Sequence, residues 1–114
     1  MIEIEIPFSR EMAIAAIEGK KVATTRSEAK GEIGDTFTIE IVRDDLLKGI
    51  PVKRTGKFHL IEIMAVDLIT VKNLYFRLEG FDSPEAFEKT WRALHRGHFT
   101  TDKLYFMHIF GRVA

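Results

Sequence analysis

The chain places two lysines, two threonines and an arginine within the eight residues Gly19–Arg26. A threonine hydroxyl such as that of Thr24 is a weak nucleophile, and it attacks a carbonyl only when a base within roughly 3 Å takes its proton. Lys21 can be that base only if its pKa falls, which burial or a neighbouring cation such as Arg26 would cause. The pattern Lys21-x-x-Thr24-x-Arg26 is therefore a candidate site for nucleophilic and acid–base chemistry.

The elements on either side of this pattern must bring its side chains together. Residues 9–19 carry apolar side chains along one helical face, with Ser9 as a cap and Gly19 as a stop, so they are predicted to form a helix. Residues 22–26 are predicted to form a short strand or an extended arm. On a regular strand residues 21 and 24 point to opposite faces, so they converge only if the chain bends or keeps a helical turn between them.

The remaining sequence supplies further strands and two helices. Apolar and polar residues alternate at 2–6 and 37–41, and a long apolar strand is predicted at 58–70. Residues 43–57 look irregular because they contain two glycines and a proline. Helices are predicted at 71–78 and 83–97, and an aromatic strand at 102–113 closes the chain.

This order of elements predicts an α+β fold in one domain that spans residues 1–114. The five or six predicted strands do not alternate regularly with helices, which disfavours a doubly wound parallel sheet. A small, mostly antiparallel β-barrel with flanking helices fits the order better. A chain of 114 residues with 46% apolar side chains can bury one modest core.

Composition excludes several classes of site and of partner. The 17 basic and 17 acidic side chains balance, so any electrostatic partner must be recognised by a local patch. The absence of cysteine excludes disulfides, thiolate catalysis and cysteine zinc sites. We expect a cytoplasmic protein with no membrane partner, because no apolar run approaches roughly 18 residues and the first ten residues do not resemble a secretory signal. The lack of glutamine beside 30% charged residues predicts a thermophilic source.

A family resemblance follows from the order of four short motifs. Lys21-x-x-Thr24-x-Arg26 follows a helix, Gly34-Asp35 opens a strand, a glutamate-glycine-aromatic step at 79–81 precedes a capped helix, and "DKLYFMHIF" closes the chain. In this order and spacing the motifs resemble the ASCH domains, which belong to the PUA-like superfamily of small β-barrels. The resemblance spans nearly the whole chain and implies a PUA-like barrel.

The resemblance also implies a function. Some small bacterial ASCH domains of similar length hydrolyse N4-acetylcytidine to cytidine and acetate. By position, the resemblance implies Lys21, Thr24 and Glu79 as the catalytic residues. An amide on an exocyclic nitrogen needs a nucleophile, a proton acceptor and a stabilised oxyanion, which these residue types can supply without a cofactor. The lead hypothesis is recognition of a modified pyrimidine nucleoside, or of RNA that contains one, with hydrolysis of the N4-acetyl amide as the enzymatic form.

The sequence is also compatible with two other functions. The first is a non-catalytic RNA-binding module that uses the same cleft and a basic loop, and the second is a small protein-interaction domain. The predicted substrate- or phosphate-binding residues are Arg26, Lys20, Phe81, Lys53, Arg54 and Lys57. Lysines after a helix end and threonines in a strand also occur for purely structural reasons. His95 and His98 lack an evident third ligand, so no metal site is predicted.

Overall fold

The structure is a computed structural model that describes the backbone of residues 2–45 and 50–113 and the side chains of residues 2–41 and 54–113. Its elements in chain order are α1 (Arg10–Ile17), β1 (Ala23–Arg26), β2 (Thr36–Asp45), β3 (Ile50–Val66), α2 (Leu68–Leu74), α3 (Pro84–Leu94) and β4 (Tyr105–Arg112). None of the helices in these ranges is both long and apolar enough to cross a bilayer.

The four strands form one curled antiparallel sheet, half of a barrel, in the order β1-β4-β3-β2. The central strand β3 is 17 residues long, and its register against β4 shifts between Leu60 and Glu62. An irregularity of this kind bends a strand and increases its twist, which lets one long strand follow the curl. The predicted α+β class with a mostly antiparallel curled sheet is confirmed.

Each face of the sheet packs against its own apolar cluster. Phe37, Phe58 and Phe110 interlock at centroid distances of 5.3–5.6 Å in the cluster that α1 covers. Tyr105 and Met107 point the other way from Phe110, as the two-residue period of a strand requires, and they join the second cluster, which α2 and α3 cover. One face of the sheet is therefore covered by α1, and the other face is covered by α2 and α3.

The N-terminal segment differs from its prediction. Residues 2–6 form only an isolated parallel bridge, Glu3 to Thr36, instead of a full strand. Two backbone hydrogen bonds make this bridge, from Ile4 N to Thr36 O at 2.7 Å and from Thr36 N to Ile2 O at 2.9 Å. Ile4 and Ile6 pack against the core while Ile2 is exposed, so part of the alternation reflects burial without a continuous ladder. The described strands accordingly number four, fewer than the five or six predicted.

The prediction of irregular structure at 43–57 is wrong for the described residues. Arg43–Asp45 and Ile50–Lys57 are paired in the β2–β3 ladder, which reaches its end at Asp45 opposite Ile50; residues 46–49 lie outside the described residues. Gly56 sits in this ladder because a Cβ there would lie 2.9 Å from the ring of Phe58. The glycine thus marks a close approach of an aromatic ring rather than a loop.

The helix predictions succeed where a cap is visible in the sequence. The Ser9 hydroxyl accepts from Met12 N at 3.4 Å, and the Ser83 hydroxyl accepts from Ala86 N at 3.1 Å, so α1 and α3 begin as predicted. The short helix predicted at 71–78 begins earlier, at Leu68. Its N-cap is Asp67, whose carboxylate accepts from Thr70 N at 2.8 Å. The preceding strand therefore ends at Val66.

His108 ties the loop after β1 to the sheet. Its side chain is fully buried, its Nε2 accepts from Lys30 N at 2.9 Å, and its Nδ1 lies 3.2 Å from Thr24 O. An acceptor at Nε2 and a donor at Nδ1 describe the neutral imidazole. Burial lowers the pKa of His108, against backbone hydrogen bonds to Thr24 and Phe106 that raise it, and the charges of Arg26 and Lys30 lower it further.

We predict that this histidine makes the fold less stable in mild acid. The unfolded chain takes up the proton at the ordinary pKa of 6.5, whereas the folded chain takes it up at a lower pH, so the free energy of unfolding falls as pH falls through this range. Urea unfolding at about pH 7.5 and about pH 5.5 measures the drop. His108→Leu should cost about 1–3 kcal/mol at the higher pH, because it removes the side-chain hydrogen bonds to Lys30 N and Thr24 O, and should have a smaller pH-dependent drop.

The matched control is His59→Gln, which removes an exposed histidine from β3. This variant should keep the parent's pH-dependent drop. An equal drop in His108→Leu and in the parent would contradict the assignment of the effect to His108.

Candidate functional site

The end of α1 turns Lys21 inward. Gly19 adopts φ +81°, in the left-handed region that suits glycine, and Lys20 N then donates to Ala15 O at 2.9 Å. Lys21 N donates to the same carbonyl at 3.1 Å. This tight helix end leaves Lys20 exposed, while the side chain of Lys21 is only 3% exposed.

The turn that follows α2 carries Glu79 to the same place. Leu78 O accepts from Val22 N at 2.8 Å and from Ala23 N at 2.9 Å, which fastens the turn to the start of β1. Gly80 then adopts φ +96°, and a Cβ at that position would lie 3.0 Å from the Cβ of Lys21. The glycine after Glu79 therefore supplies both an unusual backbone conformation and room for the lysine.

Lys21 and Glu79 form a buried ion pair at the bottom of the site. The Lys21 Nζ donates to Glu79 O at 2.8 Å and lies 3.5 Å from Glu79 Oε1. Burial lowers the pKa of Lys21, the Glu79 carboxylate raises it, and the Arg26 charge lowers it again, with a net lowering. A lowered pKa favours the neutral amine, so this lysine accepts a proton from a neighbouring group more readily than a fully charged, exposed lysine does.

Two neighbouring threonines contact different members of the site. The Thr25 hydroxyl donates to Glu79 Oε2 at 3.0 Å, whereas the Thr24 hydroxyl accepts from Arg26 NH1 at 2.5 Å. Arg26 also donates to Pro7 O at 2.7 Å, and its guanidinium stands 5.5 Å from the centroid of the Phe8 ring. The arginine thus holds the segment before α1 against the end of β1.

These side chains line a cleft of about 460 Å³. Its floor is polar and consists of Lys21, Thr24, Thr25, Arg26 and Glu79. Its walls are largely aromatic and include Phe8, Phe81, Phe87, Trp91 and His95. The His95 ring stacks on Trp91 at a centroid distance of 4.1 Å. A polar floor between apolar walls, at this volume, has the form of a small-molecule site.

The structure brings together Lys21, Thr24, Arg26 and Glu79 in this cleft, with Phe81 in its wall. Lys20, Arg54 and Lys57 are exposed and are not among the described residues that line the cleft. The Lys53 side chain lies outside the described residues.

Sequence reasoning missed the Glu79 contact of Thr25 and the wall formed by Phe8. A hydroxyl beside the motif and an aromatic residue beside a helix cap were the available signals, and neither indicates a site without the tertiary contact.

The histidines contribute to packing and to the cleft wall. His95 Nδ1 lies 2.7 Å from Trp91 O, and His98 is exposed beyond the end of α3. Among the described side chains, those of residues 2–41 and 54–113, no three histidine, aspartate or glutamate residues gather where they could hold a metal ion.

The comparisons with known proteins identify the fold. No protein-family model matches the sequence, and no curated protein matches it. Among solved structures, the ASCH domain from Lactobacillus crispatus JV V101 superposes with a TM-score of 0.63 at 15% identity, covering 97% of this chain and 79% of that one. The chain has the ASCH-domain fold.

Two further structures agree with this ASCH fold. A DUF984 protein from Enterococcus faecalis V583 superposes with a TM-score of 0.61 at 16% identity, over 98% of this chain and 78% of that one. A point mutant of ZmASCH from Zymomonas mobilis superposes with a TM-score of 0.60 at 21% identity, over 97% of this chain and 74% of that one. The three superpositions support a shared fold. At such low sequence identity they do not show that this chain shares the chemistry of those proteins.

The charges around Lys21 predict opposite responses to two substitutions. Glu79→Gln removes the carboxylate that raises the pKa of Lys21, so that pKa should fall further. Arg26→Gln removes a cation that lowers it, so the pKa should rise. NMR titration of the ¹³Cε resonance of Lys21 in the parent and both variants measures the two shifts.

Glu85→Gln, which removes an exposed carboxylate in the first turn of α3, is the control and should leave the Lys21 titration in place. Shifts of the same sign in Glu79→Gln and Arg26→Gln would show that Lys21 does not respond to these charges.

Proposed function

We propose that the cleft binds a modified pyrimidine nucleoside, free or within RNA, and hydrolyses the acetyl amide on its exocyclic N4. The observation that carries this proposal is the buried Lys21–Glu79 pair, which lies beside threonine hydroxyls on the floor of an accessible cleft. Burying two charges is costly, and their retention at the floor of a cleft is more typical of a functional site than of a core.

The walls and floor suit the two halves of such a substrate. Phe81 offers an aromatic face on which a pyrimidine ring can stack, and Phe8 lines the same cleft. The floor offers donors for the acetyl oxygen and an acceptor for the exocyclic N–H. A volume of about 460 Å³ lies within the range of small-ligand sites, so the base and its ribose would occupy it without requiring a longer strand.

The residue types allow amide hydrolysis without a metal. The ASCH resemblance implies Lys21, Thr24 and Glu79 as the acting residues. A threonine hydroxyl supplies the nucleophile, the carboxylate or the amine accepts its proton, and the Arg26 guanidinium can stabilise the oxyanion that develops on the acetyl oxygen. The burial that lowers the pKa of Lys21 makes its amine easier to deprotonate than that of an exposed lysine.

Incubation with N4-acetylcytidine, followed by the change in its ultraviolet absorbance and by chromatography of the released cytidine, tests the proposal. We expect turnover by the parent and a loss of about 100-fold or more in Glu79→Gln, because the amide side chain is similar in size but cannot accept a proton. Thermal unfolding of both proteins separates lost chemistry from lost structure.

Glu62→Gln is the matched control, since Glu62 is an exposed carboxylate on β3 outside the lining of the cleft. It should turn over the substrate at the parent's rate. If the folded parent releases no cytidine at any temperature below its unfolding transition, the enzymatic proposal is wrong.

RNA binding is a second candidate function, and one observation favours it. A shallower recess of about 340 Å³ shares Trp91, Leu94 and His95 with the cleft and is otherwise lined by Arg96, His98, Thr100 and Tyr105. The described residues that line it include an arginine, histidines and hydroxyls and no carboxylate, which suits a phosphate. A strand whose modified base occupies the cleft could lay its backbone in this recess.

The recess gives this candidate a specific test. Arg96→Gln should weaken binding of a short single-stranded RNA and reduce the slope of log K against log salt by about 0.7, the contribution of one phosphate contact. Arg77→Gln, which removes an exposed arginine outside both cavities, should leave the slope unchanged. A slope near zero in the parent would rule out phosphate contacts by the protein.

A further inference from the structure

The two threonines at the end of β1 are chemically different. Thr25 directs its hydroxyl proton to a carboxylate oxygen, Glu79 Oε2, at 3.0 Å. Thr24 receives a proton donor, Arg26 NH1, on its hydroxyl oxygen. Both side chains are almost fully buried and both line the cleft floor. Proximity to the cleft therefore does not distinguish them, but their hydrogen-bond partners do.

We propose that Thr25, and not Thr24, is the hydroxyl that attacks the substrate carbonyl, with Glu79 as its general base. The inference rests on the proposed amide hydrolysis and changes the residue that the family resemblance implies for the attack.

Thr25, Glu79 and Lys21 meet the geometric criteria for an activated nucleophile. The hydroxyl oxygen and the carboxylate oxygen are within hydrogen-bond reach, so the proton can pass directly between them. The base must also be held by a third group, and Lys21 does this, because its Nζ lies 3.5 Å from Oε1 and donates to the backbone carbonyl of Glu79. The two carboxylate oxygens thus face different partners, which fixes the plane of the base.

Thr24 lacks an acceptor for its proton among its described partners. Arg26 stays protonated near neutral pH and cannot act as a base. A hydroxyl that accepts from a guanidinium keeps its own proton available and becomes a better donor. This arrangement suits Thr24 and Arg26 to stabilise the oxyanion on the acetyl oxygen, a role that complements attack by Thr25.

The proposed reaction balances in two stages. Thr25 Oγ bonds to the acetyl carbon while its proton passes to Glu79, and collapse of the tetrahedral adduct breaks the C–N bond as the leaving amine takes that proton. This leaves an acetyl ester on Thr25 and a free exocyclic amine. Water then attacks the ester with Glu79 again accepting the proton, and acetate leaves as the Thr25 hydroxyl is restored.

Trapping the acyl intermediate locates the nucleophile. The protein is mixed with p-nitrophenyl acetate or N4-acetylcytidine, quenched in acid and digested, and the peptide containing residues 24 and 25 is sequenced by tandem mass spectrometry. We expect a hydroxylamine-labile acetyl group on Thr25. Acetylation of the Lys21 amine would give a hydroxylamine-stable amide, so it cannot be mistaken for the ester.

Substitutions complete the test. Thr25→Val keeps the shape without the hydroxyl and should lose the labile adduct and about 1,000-fold or more in turnover, whereas Thr25→Ser should keep both the adduct and measurable turnover. Thr24→Val is the matched variant, which should slow turnover by weakening oxyanion stabilisation but keep the acetyl group on Thr25. A labile acetyl group on Thr24, or unchanged turnover in a folded Thr25→Val, overturns the proposal.

The two substrates separate this inference from the proposed function. An acetyl ester on Thr25 from p-nitrophenyl acetate, with no cytidine released from N4-acetylcytidine, would support the nucleophile and refute the substrate. Release of cytidine with no dependence on the Thr25 hydroxyl would support the substrate and refute the nucleophile. The inference fails if neither substrate gives a labile adduct on Thr25 in the parent and the Thr25→Val variant turns over substrate at the parent's rate.

Discussion

The amine of Lys21 joins two parts of the chain that are distant in sequence. It belongs to the connection between α1 and β1, and it donates to the backbone carbonyl of Glu79 and approaches the carboxylate of the same residue. Removing this amine from water is unfavourable, and hydrogen bonds from groups held in place by backbone contacts offset that cost. The helix end, the edge strand and the turn before α3 must therefore keep a single relative arrangement.

Glycines and shared carbonyls make that arrangement possible. Gly80 lets the backbone pass within contact distance of Lys21, and Leu78 O receives two N–H groups from the start of β1. One carboxylate, that of Glu79, accepts from both a lysine and a threonine hydroxyl, with the half-buried Arg26 close by. The floor carries two basic groups and one acidic group, a balance that suits an uncharged ligand whose carbonyl becomes an anion during reaction.

Local signals in the sequence predicted the parts of the fold that local energies control. The caps Ser9 and Ser83 fix where α1 and α3 begin, because each supplies an acceptor for an otherwise unpaired amide. The β2–β3 ladder beyond residue 42 could not be recognised in this way. Its pairing is a long-range contact that overrides the turn propensities of Pro51 and Gly56. Two predicted site residues in that segment, Arg54 and Lys57, are exposed and do not line the cleft.

The sequence by itself determined the inventory of the site, since the spacing of Lys21, Thr24 and Arg26 after a helix and the glutamate–glycine step at 79–80 can be read from the letters. Only the tertiary structure decided which threonine meets the carboxylate. Successive residues of a strand point to opposite sides, so the partner of each depends on how β1 is set against β4 and against the turn at Leu78. That setting is a long-range property of the fold, and no local pattern encodes it.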